Sequence, residues 1–226
     1  MPTRLSIVIP VGPGDEAWRA LLSQLARLAV CEIIVVFPSE PLYKDTTRLE
    51  LIDSRIHVMF APCGRARQLN AGAAATRSDW VWFLHADSFL KDQCVEALRR
   101  HMTRDRLALG YFDLRFLDDG PLPMALNSLG AWLRSRCFHL PFGDQGFVLS
   151  RPLFDSLEGF DETLRYGEDH DLIWRARALG ARIVPVGAAL YTSARKYALG
   201  GWWQTTAGHL VGTWQQAREF SRRARI

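Results

Sequence analysis

Paired cysteines, long apolar runs and low-complexity stretches are all missing from this chain. Its four cysteines, Cys31, Cys63, Cys94 and Cys137, are scattered, with no C-x-x-C pair and no histidine at zinc-ligand spacing. That pattern argues against a zinc site and against a disulfide scaffold, and it fits a reducing, cytoplasmic setting. No run approaches the roughly 18 apolar residues of a membrane span. Ahead of Pro10 stand one basic residue, Arg4, and an apolar stretch too short for the hydrophobic region of a secretory signal. No G-x-G-x-x-G follows the first apolar run and no Walker lysine loop occurs, which lowers dinucleotide oxidoreductases and P-loop enzymes. A long basic stripe and the signatures of nucleic-acid modules are absent too, so nucleic acid is not an expected partner.

What remains is an ordinary globular composition. The 226 residues are 48% hydrophobic and 23% charged, enough for one large core and short for two independent ones. A net charge of +4 and a pI near 9.1 suit anionic ligands only weakly.

Apolar runs and helical periodicities alternate. Leu5 to Val11 reads as a buried strand ended by Gly12, Pro13 and Gly14. Asp15 can cap a helix from Glu16 to Leu28. Strands follow at Ile33 to Phe37, Ile56 to Phe60 and Trp80 to Leu84, with helices at Ala66 to Thr76 and Lys91 to His101. The second half predicts strands at Leu109 to Phe116, Gly146 to Leu149 and Arg182 to Val186. Its helices are predicted at Pro123 to Phe138, Asp169 to Leu179 and Gly201 to Arg223. Alternation of this kind predicts βαβ units and a Rossmann-like, mostly parallel sheet flanked by helices, an α/β class. Ligands of such sheets bind beyond the carboxyl ends of the strands.

Three constellations fall at those ends. His85-Ala86-Asp87 follows an apolar strand directly. A carboxylate there can hold Mg²⁺ or Mn²⁺ shared with diphosphate oxygens, and it equally reads as the cap of the next helix. Gly167-Glu168-Asp169-His170-Asp171 sets three carboxylates at a helix start. The helix dipole alone explains one of them, while crowding raises at least one pKa and suits a general base. Gly64 to Gly72 places Arg65 and Arg67 at a helix N-terminus, either an anion site or a solvated basic face.

Together these residues resemble the family-2 glycosyltransferases of the GT-A fold. The likeness rests on the opening strand Leu5 to Pro10, the Gly64 to Gly72 motif, the strand ending in His85-Ala86-Asp87, Gly159-Phe160-Asp161-Glu162, and Glu168-Asp169. It runs from about Leu5 to about Tyr197. Gly64 to Gln68, Phe83 to Asp87 and Gly143-Asp144-Gln145 further resemble a bacterial subgroup often called arsenosugar-biosynthesis-like.

The resemblance implies one GT-A domain over residues 1–226. Its nucleotide-binding half runs to about residue 90, its acceptor-side half over about 91–200, and a helical tail over 201–226. It implies transfer of a sugar from a nucleotide-diphosphate donor to an acceptor hydroxyl, inverting and dependent on Mn²⁺ or Mg²⁺. By similarity Asp87 is the metal ligand, Asp169 the general base and Glu168 its helper. Pro10, Gly64, Arg67 and Asn70 line the nucleotide pocket, and His85 stands where the usual D-x-D motif has its first Asp. After the second strand the family carries an acidic turn that reads the base; here Ser39 or Glu40 fills that place. Asp144 and Gln145 go to the diphosphate or acceptor side, and Arg195 and Lys196 to the leaving diphosphate, against a plain basic turn. Two other readings stand beside this one: a catalytically weak GT-A domain that only binds a nucleotide or glycan, and a nucleotidyltransferase-like α/β enzyme. Trp203, Ala207, Leu210, Val211 and Trp214 share one helical face of the tail. That face suits packing on the domain or on a second subunit, or a peripheral contact with the inner face of a membrane and a lipid-linked acceptor.

Overall fold

The computed structural model describes residues 4–26, 32–39, 53–121 and 124–194. The first half runs β1 (Leu5–Pro10), α1 (Trp18–Leu25), β2 (Glu32–Pro38), β3 (Ile56–Ala61), α2 (Arg65–Ala75), β4 (Trp80–Phe83), β5 (Ser88–Phe89) and α3 (Gln93–Arg104). The second runs β6 (Ala108–Phe116), α4 (Met124–Cys137), a 3₁₀ turn (Gly143–Gln145), β7 (Phe147–Ser150), α5 (Arg151–Ser156), α6 (Glu168–Ala178) and β8 (Arg182–Thr192).

Among the described residues, eight strands form one sheet in the order β3-β2-β1-β4-β7-β6-β8-β5. β1 pairs in parallel with β2 and β4, β2 with β3, and β6 with β8. β7 runs antiparallel between β4 and β6, and β5 antiparallel to β8. Because β7 opposes both neighbours, β4 and β6 point the same way. The carboxyl ends of β1 to β4, β6 and β8 and the amino end of β7 therefore share one edge.

The middle of the sheet is buried on both faces, and the two-residue period of a strand sorts its side chains between two cores. Ile7, Ile9, Ile33, Val35, Trp80 and Trp82 join Trp18, Leu21 and Leu25 of α1 and Ala97 and Leu98 of α3 on one side. Val8, Ile34, Val36, Val81 and Phe83 join Leu69 and Ala73 of α2, Phe154 of α5, and Leu172 and Ile173 of α6 on the other. Gly72 lets α2 lie directly on β1 and β2: a Cβ there would collide with Val8 and Val36.

Several expectations change. The first helix starts at Trp18, and Asp15 accepts the Ala17 N–H at 2.8 Å in a turn just ahead of it. Asp87 caps nothing, because α3 begins at Gln93 with Asp92 at its N-cap. β8 continues past Val186 to Thr192; a register irregularity opposite Tyr111 and Asp113 carries it through Gly187, whose φ is +93°. β5 and α5 come from sequence with no clear periodicity. The tail helix from Gly201 and Pro123 at the start of α4 lie outside the described residues. Among the described residues no helix is long and apolar enough to cross a membrane.

Candidate active site

The shared edge of the sheet opens into a cavity of ≈ 520 Å³. Each wall comes from a strand end or a helix start. Pro10, Gly12 and Asp15 follow β1, and Gly64, Arg65 and Gln68 open α2. His85, Ala86 and Asp87 follow β4, Phe142 and Asp144 precede β7, Asp169 starts α6, and Thr192 ends β8. Asp87 and Asp169, far apart in sequence, thus face one space.

Each acidic group is held differently. Asp87 is half-buried, and its Oδ2 accepts from the Thr192 hydroxyl at 3.0 Å. Asp169 Oδ2 accepts the Gly143 N–H at 2.6 Å, a short charge-assisted bond. Asp144 lines the cavity with a buried Oδ1 that has no hydrogen-bond partner among the described residues. Glu168, 5% exposed, pairs with Arg65 at 3.2 Å. Burial and the adjacent Asp169 carboxylate push Glu168 above the usual carboxylate range, against the pull of Arg65. The third acidic residue of that run is structural: Asp171 binds Arg175 at 2.7 Å, and Arg175 also donates to the carbonyl of Gly159 at 2.9 Å. His85 is held below the ordinary imidazole value by burial, with Arg65 acting in the same direction and Asp87, Asp144 and Asp169 opposing. It is therefore neutral at pH 7.

A second cavity of ≈ 670 Å³ adjoins the first. Cys63, Gly64, Arg65, Phe142 and Asp169 line both, so Asp169 stands at the junction. The remaining wall is the loop Glu162 to Gly167 with Arg67 and Glu168.

Of the residues expected in the nucleotide pocket, Pro10, Gly64 and His85 line the first cavity. Arg67 lines the second and not the first. Asn70 lines neither. Its amide donates to the Phe160 carbonyl at 2.8 Å and to Glu162 at 2.9 Å, and its carbonyl accepts the Phe160 N–H at 2.8 Å. Gln145 lies under the floor, fully buried. It donates to the Phe112 carbonyl at 2.9 Å and accepts from Ser135, Arg134 and the Phe142 N–H. Glu40, Arg195 and Lys196 lie outside the described residues.

Residues 15–152 match the model of the family described as glycosyl transferase family 2. The chain belongs to glycosyl transferase family 2. Among curated relatives it is similar to the pre-mycofactocin glycosyltransferase of Mycobacterium tuberculosis, 29% identical over 211 residues. That match covers 88% of this chain and 44% of the relative, so the chain spans less than half of that protein. The fold is shared with solved GT-A glycosyltransferases. S. aureus TarS 1-349 in complex with UDP-GlcNAc superposes with a TM-score of 0.64 at 15% identity, covering 84% of this chain and 58% of that one. GalNAc-T7 with UDP, GalNAc and Mn²⁺ gives 0.66 at 13%, covering 84% and 44%.

Within this family 2 domain, Arg65, named in the sequence only as one of a basic pair, lines the site, and Gln68, Phe142 and Thr192 line it without a role assigned from the sequence. Gln68 was within reach of sequence reasoning, since it lies one helical turn from Arg65 in the same motif. Its side chain donates to the carbonyls of Val11 and Val36, both at 2.8 Å, and ties the ends of β1 and β2 together. Thr192 carries no local signal, because only the pairing of β8 with β5 and β6 brings it to Asp87.

Proposed function

We propose that this domain transfers a sugar from a nucleoside-diphosphate donor to an acceptor hydroxyl by direct, inverting displacement. One observation carries the reading: Asp87 lines the first cavity, and Asp169 lines both it and the second. A donor in the first cavity and an acceptor in the second would meet at the Asp169 carboxylate. Solved neighbours that hold UDP-GlcNAc, or UDP, GalNAc and Mn²⁺, support the donor class.

Asp169 takes the acceptor O–H proton as the oxygen attacks the anomeric carbon. The bond from that carbon to the diphosphate oxygen breaks, and its electron pair leaves with the nucleoside diphosphate. The Gly143 N–H holds the Asp169 carboxylate in place for this role. Asp144 accepts from donor-sugar hydroxyls, since a carboxylate would repel the diphosphate and its buried oxygen has no donor among the described residues.

A divalent cation fits this site as a shared ligand. Among the described residues no group of three or more His, Cys, Asp or Glu is gathered to hold a metal. Asp87 instead offers one carboxylate into the cavity, and diphosphate oxygens complete the hard-oxygen set that Mn²⁺ or Mg²⁺ requires. When bound, the cation neutralises charge on the departing diphosphate.

The test is a thermal-shift screen of nucleoside diphosphates and their sugars with and without Mn²⁺, followed by mass detection of donor hydrolysis and transfer. Binding raises Tm by mass action. A protein that neither shifts with any of them nor consumes any donor overturns the reading.

A further inference from the structure

The second cavity has a chemistry of its own. One wall is the N-terminal turn of α2, with Arg65 and Arg67; the other is the loop Glu162 to Gly167, with Arg165 and Tyr166. The loop is fixed at both ends. Asn70 clamps Phe160 and Glu162, the Asp161 carboxylate accepts the Thr163 N–H at 2.9 Å, and Gly167 turns into α6 with φ +84°.

The charges lining this cavity are unevenly satisfied. Arg65 and Glu168 form a closed pair, Asp169 is engaged by Gly143, and Glu162 accepts from Asn70. Arg67 and Arg165 are both exposed, and among the described residues neither has an ion pair or a hydrogen-bond acceptor. The Arg67 stem folds back over Gly64, its Cδ 3.7 Å from where a Cβ on that glycine would stand. Arg165 lies against Tyr166, guanidinium carbon to ring centroid 5.5 Å, and Tyr166 itself is 71% exposed. Two planar forks, each with five donors, and an exposed aromatic ring therefore line the cavity that ends at Asp169.

We infer that the second cavity selects an acceptor carrying a compact oxyanion, a carboxylate or phosphate, bound by Arg67 and Arg165 while its hydroxyl meets Asp169. A guanidinium matches both anions in a bidentate manner. Tyr166 offers a stacking face to the acceptor body. The assignment of a hydroxyl to Asp169 rests on the transferase reading above; the recognition of the anion does not.

The test separates the two. Glycerol 3-phosphate and glycerol are titrated into the full chain, with side-chain Nε–H resonances of arginine as the readout. Glycerol 3-phosphate moves the Arg67 and Arg165 signals, and glycerol does not. The R67Q/R165Q double variant, checked for an unchanged melting curve without ligand, binds glycerol 3-phosphate about tenfold or more weakly, the scale of lost charge-assisted bonds. R67K/R165K keeps the charge but loses the fork, and recovers only part of the affinity. Phosphatidylcholine vesicles with and without phosphatidic acid then distinguish a lipid-borne phosphate from a free one. Arginine-dependent binding without transfer from any nucleotide sugar sustains the anion site and rejects the transferase reading. Equal affinity of wild type and R67Q/R165Q for glycerol 3-phosphate, or no preference over glycerol, overturns the inference itself.

Discussion

Asp169 reaches back along the chain to the backbone of Gly143, taking its N–H at 2.6 Å. A Cβ on Gly143 would stand 3.2 Å from the Asp169 Oδ2 and 3.1 Å from the His85 Nε2. The glycine thus leaves the space that both the carboxylate and the imidazole border. Gly143→Ala moves one or both by a few tenths of an ångström. The expected outcome is a fall in kcat with little change in Tm. Unchanged turnover would show that the carboxylate position there is not critical.

Asp169→Asn keeps an oxygen for the Gly143 N–H and removes the base. The rate of transfer should fall by about 10²–10⁴-fold, with donor affinity nearly constant because the proton is taken from the acceptor. Transfer within a few-fold of wild type would remove Asp169 from the base role.

Asp87→Asn addresses the cation. Calorimetry of a nucleoside diphosphate should show tighter binding with Mn²⁺ than in EDTA for the wild type, and a much smaller difference for the variant. Thr192 still has an oxygen to donate to, so folding is preserved. Equal affinity in EDTA for the wild type would take the metal out of the mechanism.

Asn70→Ala breaks the clamp on Phe160 and Glu162 and leaves backbone groups of a buried residue without partners. The expected cost is about 1–3 kcal/mol. In a chain of this size that lowers Tm by about 2–4 °C per kcal/mol. Acceptor KM should rise as the loop loosens, while nucleotide binding holds. Thermal denaturation and steady-state kinetics check the two halves of this expectation.

His101 sets part of the acid limit of stability. It is buried against Trp80, ring centroids 5.4 Å apart. Burial holds it below the ordinary imidazole value, against the backbone of Val148 and the Asp105 carboxylate. The native state therefore binds fewer protons than the unfolded state once pH falls through about 6.5. Stability drops from there until the folded value is passed, by up to about 1.4 kcal/mol per pH unit. Urea melts of His101→Phe should show a shallower slope below pH 6.5; His85, also depressed, leaves a residual one. An unchanged slope would clear His101 of this role.

The strands were legible where both faces are buried, because continuous β-branched runs such as Ile7 to Ile9 and Ile33 to Val36 have no competing reading. β8 was cut short at Gly187, since a glycine ends an apolar pattern but not a strand that can adjust its register. At the site, Asp87 and Asp169 were legible as charges at element ends. The division of labour between Glu168 and Asp169 was not, because it depends on Arg65 and Gly143, which only the tertiary fold brings near, whereas the partner of Asp171, Arg175, lies one turn along the same helix. Asn70 and Gln145 sit in motifs that suggest ligand contacts, yet their amides are engaged by the protein's own backbone and side chains. Motif membership alone cannot tell a residue that touches a ligand from one that holds the wall.

The place of β7 has a consequence for how the chain is made. Until residues 147–150 are synthesised, β4 exposes a row of unpaired backbone groups along one side, the kind of open edge that invites pairing with other chains. Insertion of β7 closes that edge, seats Gly143 beside His85 and gives β6 and β8 something to attach to. These are pairings between distant parts of the chain, the slow kind to form. Nascent chains stalled before residue 147 should therefore carry a formed β1–β2–β4 core that is prone to aggregate. Catalytic geometry then becomes a late product of folding: β7 joins the two halves of the sheet, and Asp169 and Thr192, both later in the chain, complete the pocket.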